Sequence, residues 1–275
     1  MVFRQNRIGG VVAAAALLLP ALVSAPAFAQ PAPYLKGARN PVLNDTGVAG
    51  VWNMQGHVSS SEPVRKQGAF TEEGKVPPLL PEAKTLYESR LVAAENGKPF
   101  AHMGTRCLPE GVPLMLFAAV EGPVEILETP GRVTILSQEF GETWLIYMDQ
   151  KHRPDPDPTW HGDSVGHWEG KTLVIDSIAL NPDTTIDHVG MPHSEDLRVV
   201  TRLTRLDKET LEVRATMYDA KTFSAPWTRR FIYKRAKPGE RVEEQVCDNQ
   251  RNGVDSDGNA TFETYEDRLK AGAVK

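Results

Sequence analysis

Between Leu211 and Met217 the chain alternates with a period of two: Leu211, Val213, Ala215 and Met217 are apolar, and Glu212, Arg214 and Thr216 are polar. Side chains along a strand point to opposite faces in turn, so this pattern demands a strand with one buried face and one wet face. Leu197–Leu203 precedes it and pairs with it naturally as a hairpin. The same period runs through much of the chain from about residue 112. Val124–Glu128 and Val133–Gln138 flank Thr129-Pro130-Gly131-Arg132, a turn sequence. Thr143–Met148, Thr172–Ile178, Arg229–Lys234 and Val242–Val246 extend the series, and Val48–Asn53 is a candidate first strand. Strands at intervals of about 10–15 residues with turn signals between them predict a mainly β fold, an antiparallel barrel or sandwich. No alternation of strand and helix supports a parallel α/β sheet.

Helical signals are few. Pro81 to Glu95 carries Ala83, Leu86, Tyr87, Leu91 and Ala94 at helical spacing, opens on a proline and ends at Asn96-Gly97, so a helix is expected there. Thr261–Lys270, with Phe262, Tyr265 and Leu269 on one side, suggests a second short one. Residues 56–80 have no clear period.

The first 29 residues carry Arg4 and Arg7, an apolar run from about Ile8 to Val23, and Ala27-Phe28-Ala29, a small-x-small site. These are the three parts of a cleaved secretory signal. A membrane anchor is the rival reading, but the run is short for a span and Pro20 and Pro26 interrupt it. The expected organisation is a signal peptide over 1–29, an extended Pro-, Gly- and Asn-rich segment over 30–47, a β domain over 48–250 and a tail over 251–275. Such a protein is periplasmic or secreted, with no transmembrane segment after cleavage. The formal charge is −5 and becomes −7 without the two arginines of the signal. No run of Lys or Arg offers the electrostatic footprint of a nucleic-acid protein, so a small-molecule ligand is the expected partner. The two cysteines, Cys107 and Cys247, would pair in an oxidising compartment; two buried thiols are the alternative.

Residues 149–196 concentrate the candidate chemistry. Five of the seven histidines lie here (His152, His161, His167, His188 and His193) among many aspartates, with Trp160 and Trp168 bracketing Gly162–Gly166. His161, Asp163 and His193 are the candidate acid–base residues, placed at the mouth or interior of the barrel, because imidazole and carboxylate exchange protons near neutral pH. Asp149, Trp160, Trp168 and His188 are the candidate ligand contacts. Gly162-Asp163-Ser164-Val165-Gly166 matches the Gly-x-Ser-x-Gly pattern of serine hydrolases, which has meaning only between a strand and a helix; a Pro-rich loop leads in here, and the segment resembles a turn. No histidine spacing typical of a metal site occurs within the segment, so no metal or cofactor is expected; three ligands would have to converge from separate loops.

Longer runs carry a resemblance. Trp160 to Asp176 (WHGDSVGHWEGKTLVID) and Gly190 to Val200 (GMPHSEDLRVV), with Ile146-Tyr147-Met148-Asp149, Arg106-Cys107-Leu108-Pro109 and Glu244 to Asn249, resemble a largely uncharacterised family of exported proteins of Gram-negative bacteria over roughly residues 48–249. The resemblance implies export, fits a cysteine pair near the two ends of the domain and hands over no catalytic residue. The Trp-Glu-Gly-x-Thr-Leu-Val stretch is also similar to lipocalin-like barrels, which implies a lipocalin-like barrel with one or two short helices. Two functions follow as expectations: binding of a small, partly apolar molecule, or metal-free acid–base catalysis as an isomerase, lyase or hydrolase; an envelope protein with no small ligand is a third, structural reading.

Overall fold

The computed structural model describes residues 47–56, 77–117, 122–245 and 252–262, all within the compact unit Asn40–Lys275. The fold is mainly β, a closed barrel of nine strands with one α-helix among the described residues. The strands are β1 (Gly50–Gln55), β2 (Val124–Thr129), β3 (Arg132–Ser137), β4 (Thr143–Met148), β5 (Asp163–Glu169), β6 (Thr172–Ile178), β7 (Arg198–Arg205), β8 (Thr210–Tyr218) and β9 (Trp227–Arg235). The helix α1 spans Pro81–Glu95. Each strand pairs with the next, and β1 pairs with β9 from Trp52↔Arg235 to Gln55↔Ile232, which closes the barrel. Closure leaves no open sheet edge.

Most pairs are antiparallel hairpins. The β2–β3 turn is the two-residue Pro130-Gly131, with Gly131 at φ +74°, a left-handed conformation that glycine adopts without a Cβ penalty. The exception is β4 with β5, which are parallel at Tyr147↔Val165 and Met148↔Gly166. The barrel is therefore mixed rather than purely antiparallel. Residues 149–162 return the chain along the outside to the end where β4 began, so the Pro-rich stretch is a crossover. The Gly162–Gly166 segment is also corrected: Asp163–Glu169 is a strand, not a turn. Ser164, only 2 % exposed, accepts the Trp144 indole N–H at 2.8 Å and meets the Ser177 hydroxyl at 2.7 Å. The hidden face of β5 is polar here, which is why no apolar alternation marks it.

Two further expectations change. Residues 242–245 form no strand, and Val246 lies outside the described residues. Thr261 and Phe262 belong to a small hairpin, β10 (Asn252–Val254) with β11 (Ala260–Phe262), and not to a helix; residues 263–270 lie outside the described residues. The signal segment and Cys247 also lie outside them. No cysteine is free among the described residues.

The lumen is filled by the protein itself. Trp52, Ile126, Ile135, Trp144, Ile146, Leu173, Ile175, Val199, Leu203, Val213, Ala215 and Tyr233 are buried in one cluster. The apolar segment Val112–Phe117 enters among them. Leu116 offers its carbonyl to the Tyr233 hydroxyl at 2.5 Å, and the Phe117 ring stacks on Phe231 with centroids 4.7 Å apart. The buried Arg229 guanidinium lies 4.1 Å above the Phe117 ring.

Candidate functional site

Strand register collects the starts of β2, β4, β5, β7 and β9 at one end of the barrel. The β3–β4 connection, the entry to β5, the 179–197 loop and the 101–117 segment meet there. Glu142 ties them together. Its Oε1 accepts the backbone N–H of Glu110 and its Oε2 that of Gly111, each at 2.9 Å. The same Oε2 lies 2.8 Å from His161 Nε2. Val112 N–H donates to the Trp160 carbonyl at 3.0 Å. A Cβ on Gly111 would meet that carbonyl oxygen at 2.1 Å, and φ there is +72°, so only glycine fits this crossing.

The 179–197 loop is organised by Asp187. One carboxylate oxygen accepts the N–H groups of Gly190 and Met191 at 2.9 Å, and the other accepts the Tyr87 hydroxyl of α1 at 2.6 Å. Burial raises the Asp187 carboxyl above its usual range. Arg90 of α1 also donates to the Gly190 carbonyl.

This arrangement delivers His188 to Glu110. His188 Nε2 lies 2.8 Å from Glu110 Oε1. His102 Nδ1 lies 3.1 Å from the same oxygen but off the direction a hydrogen bond needs. The two imidazole rings are 4.3 Å apart between centroids. Glu110 is 1 % exposed, and its second oxygen has no hydrogen-bond partner in the structure. Burial alone would raise the Glu110 carboxyl, but the neighbouring imidazoles, His188 foremost, hold it down at about 2. Burial lowers His102. It works against the charge of His188 too, but the Glu110 carboxylate more than offsets that and raises it. His102, Glu110 and His188 offer one ligand atom each, all within 4.8 Å of one another. Of the three, the sequence singled out only His188, as a ligand contact. His102 and Glu110 lie in a stretch without period; the available signal was a glutamate between Pro109 and Gly111, at the head of the apolar run Val112–Phe117.

The predicted acid–base residues divide. His161 and Asp163 line a groove of about 400 Å³ between the outward face of β4 and the 149–162 crossover. Leu145, Tyr147 and Val165 give it apolar walls; Thr143, Gln150, Lys151, Arg153 and Thr159 give it polar ones. The groove lies on the outer side of β4, whereas the sequence placed the site at the mouth or interior of the barrel. Asp163 is held by His152 Nδ1 at 2.8 Å and Arg153 Nε at 2.8 Å. Burial works against its charge, but these bonds, that from Arg153 first, keep its carboxyl below the usual range. His193 does not line this groove. It is buried, with Nε2 2.8 Å from the Thr184 hydroxyl and Nδ1 2.8 Å from the Ser194 carbonyl, and burial lowers its basicity. Both nitrogens are engaged, as in a histidine that fastens a loop.

The remaining candidates are dispersed. Asp149 is exposed at φ +56°, where the crossover begins. Trp160 contributes its carbonyl to Val112, and Trp168 is exposed on the far part of β5. Ser164 offers no serine nucleophile: a strand follows it where a helix would be needed, and its hydroxyl proton is directed to the His161 carbonyl at 3.0 Å. No helix among the described residues is long and apolar enough to cross a membrane. No family model, curated protein or solved structure matches the chain.

Proposed function

We propose that this chain is an exported barrel protein that binds a small, partly apolar molecule in the groove between β4 and the 149–162 crossover. One observation carries this reading: a groove of about 400 Å³ with exposed Leu145 and Tyr147 on one wall and His161, Gln150 and Lys151 around it. The volume falls within the span of about 300–1,000 Å³ typical of ligand pockets, and a mixture of apolar walls with a few polar groups is their usual lining. Leu145 and Tyr147 are neighbours on the outward face of β4, and contiguous exposed apolar surface rimmed by polar residues is what marks an interaction site. Export rests on the pattern of residues 1–29, and pairing of Cys107 with Cys247 belongs to the same reading. Catalysis is a second reading, favoured by the contact between His161 and the buried Glu142 at 2.8 Å. A carboxylate that orients an imidazole at a groove wall suits proton transfer.

The test is native mass spectrometry of protein isolated from the periplasm, followed by amide-shift mapping with whatever organic molecule co-purifies. Binding predicts shifts at Leu145, Tyr147 and Val165, and at least tenfold weaker binding in Tyr147→Ala. A ligand that shifts residues elsewhere refutes the groove. Turnover of the same molecule that is lost in His161→Gln, with binding retained, selects the catalytic reading.

A further inference from the structure

We propose that His102, Glu110 and His188 form a binding site for a divalent first-row transition ion at the barrel end, independent of the groove ligand. The donor set is two imidazole nitrogens and one carboxylate oxygen, a combination that suits zinc, iron, cobalt or nickel better than magnesium or calcium, which prefer all-oxygen shells. The spacing fits. Two donors on one tetrahedral zinc, each about 2.0–2.1 Å from it, sit about 3.3 Å apart. The observed separations from Glu110 Oε1 are 2.8 Å to His188 Nε2 and 3.1 Å to His102 Nδ1, and the three ligand atoms all lie within 4.8 Å of one another, so modest side-chain shifts bring them around one ion.

Four features separate this cluster from an ordinary buried ion pair. Both ion-pair partners of Glu110 are histidines; among the described residues no lysine or arginine pairs with it. Its second oxygen is buried and makes no hydrogen bond, and the His102 nitrogen is close to the first oxygen but misaligned for one. Buried polar atoms in native proteins normally find partners; an ion among these three would give the His102 nitrogen one, and a carboxylate that binds it through both oxygens would give Glu110 Oε2 one as well. Space is also reserved for the carboxylate: a Cβ on Gly104 would meet Glu110 Oε1 at 2.5 Å. The Glu142 carboxylate fixes the backbone on either side by binding the N–H groups of Glu110 and Gly111, the supporting layer that metal sites use to orient their ligands.

The group of His152, Asp163 and Asp176 does not qualify. His152 faces Asp163 with Nδ1 and Asp176 with Nε2, so its two carboxylates lie on opposite sides of the ring and cannot share an ion. Arg153 and Arg198 already neutralise them. At the barrel end His188 remains 34 % exposed, which gives the ion an entry route. Three protein ligands and an open side are the arrangement of a site that keeps a position for water or an anionic ligand group.

The test uses the untagged mature chain recovered after export, stripped with a chelator and titrated calorimetrically with Zn²⁺ alone. The expected result is one ion per chain, with Co²⁺ substitution giving the visible d–d bands of a low-coordinate site. His188→Gln, at a partly exposed position, and Glu110→Gln should each weaken Zn²⁺ binding more than ~100-fold, beyond the 10–100-fold typical of losing a supporting residue. Circular dichroism confirms that the His188→Gln chain is folded. Absence of stoichiometric binding by the wild-type chain overturns the proposal, as does binding that the folded His188→Gln chain retains.

Discussion

Replacing Glu142 by alanine removes a side chain that reaches both the 110–111 backbone and His161, and its cost can be worked from the contacts. Glu142 is 4 % exposed. It accepts two backbone N–H groups at 2.9 Å and stands 2.8 Å from His161 Nε2. Alanine leaves the Glu110 and Gly111 N–H groups buried without acceptors, at about 1–3 kcal/mol each. His161 is partly exposed and can turn to water, so it adds less. The sum is about 4 kcal/mol, falling towards about 2 kcal/mol if water enters the vacated space. That is a large share of the 5–15 kcal/mol that separates most folded domains from their unfolded chains. Glu142→Gln should fall between wild type and alanine, because its amide NH₂ must face one of the N–H donors that the carboxylate accepts. Urea unfolding in chelator-containing buffer, followed by tryptophan fluorescence, gives the three stabilities, provided that the slope with denaturant stays constant. A loss below about 1 kcal/mol in Glu142→Ala, at constant slope, would refute the claim that this carboxylate holds the barrel end together.

Three further outcomes follow from the same structure. Tyr233→Phe should lose about 1 kcal/mol through the Leu116 carbonyl, and Phe117→Ala about 3–5 kcal/mol, in urea melts; silent changes at both would mean that Val112–Phe117 does not fill the lumen. Gly131→Ala, with φ +74° and open space, should cost about 1–2 kcal/mol. Gly162→Ala, with φ +67° and its Cβ 2.3 Å from the Ile178 carbonyl oxygen, should cost clearly more; equal losses would contradict the close approach of the 159–162 segment to the end of β6. The Asp163 carboxyl is held low in the fold, so its contribution to stability is present above the unfolded value of about 3.9 and is lost as pH falls through its lower folded value. Asp163→Asn should therefore flatten the fall in stability as pH drops below about 5, and unchanged slopes would show that the ion group with Arg153 and His152 does not form in solution.

The hairpins were legible because their signal is local. In β8, Leu211, Val213, Ala215 and Met217 face inward as their alternation requires, and the Pro130-Gly131 turn sits between strands whose buried residues Val124, Ile126, Val133 and Ile135 share one face. β5 was hidden for a physical reason: at its start the barrel interior is lined by Ser164 and Ser177, which satisfy each other, so no apolar period reports the buried face. The parallel pairing of β4 and β5 was equally silent, because it depends on a crossover without regular structure. The filled lumen had a signal in Val112–Phe117, an apolar run that only makes sense inside something, but nothing in the run itself says which barrel it enters.

The barrel end was harder to foresee because its residues are brought together by closure and not by spacing. Glu110 meets His188 across 78 positions, and His102 joins them from the same irregular segment. Histidines crowded in sequence point to 149–196, but His193 lies apart from the groove, its ring held between the Thr184 hydroxyl and the Ser194 carbonyl. Crowding measures composition, whereas a site requires convergence, and convergence here is set by three anchors outside the crowded segment: Tyr87 on Asp187, Glu142 on the 110–111 backbone, and Tyr233 on Leu116. A glutamate buried at 1 % exposure between proline and glycine is the kind of residue that cannot remain without partners. Asking of each acidic residue at the head of an apolar run what could neutralise it is the sequence question that leads to Glu110, and the geometry answers it with two histidines.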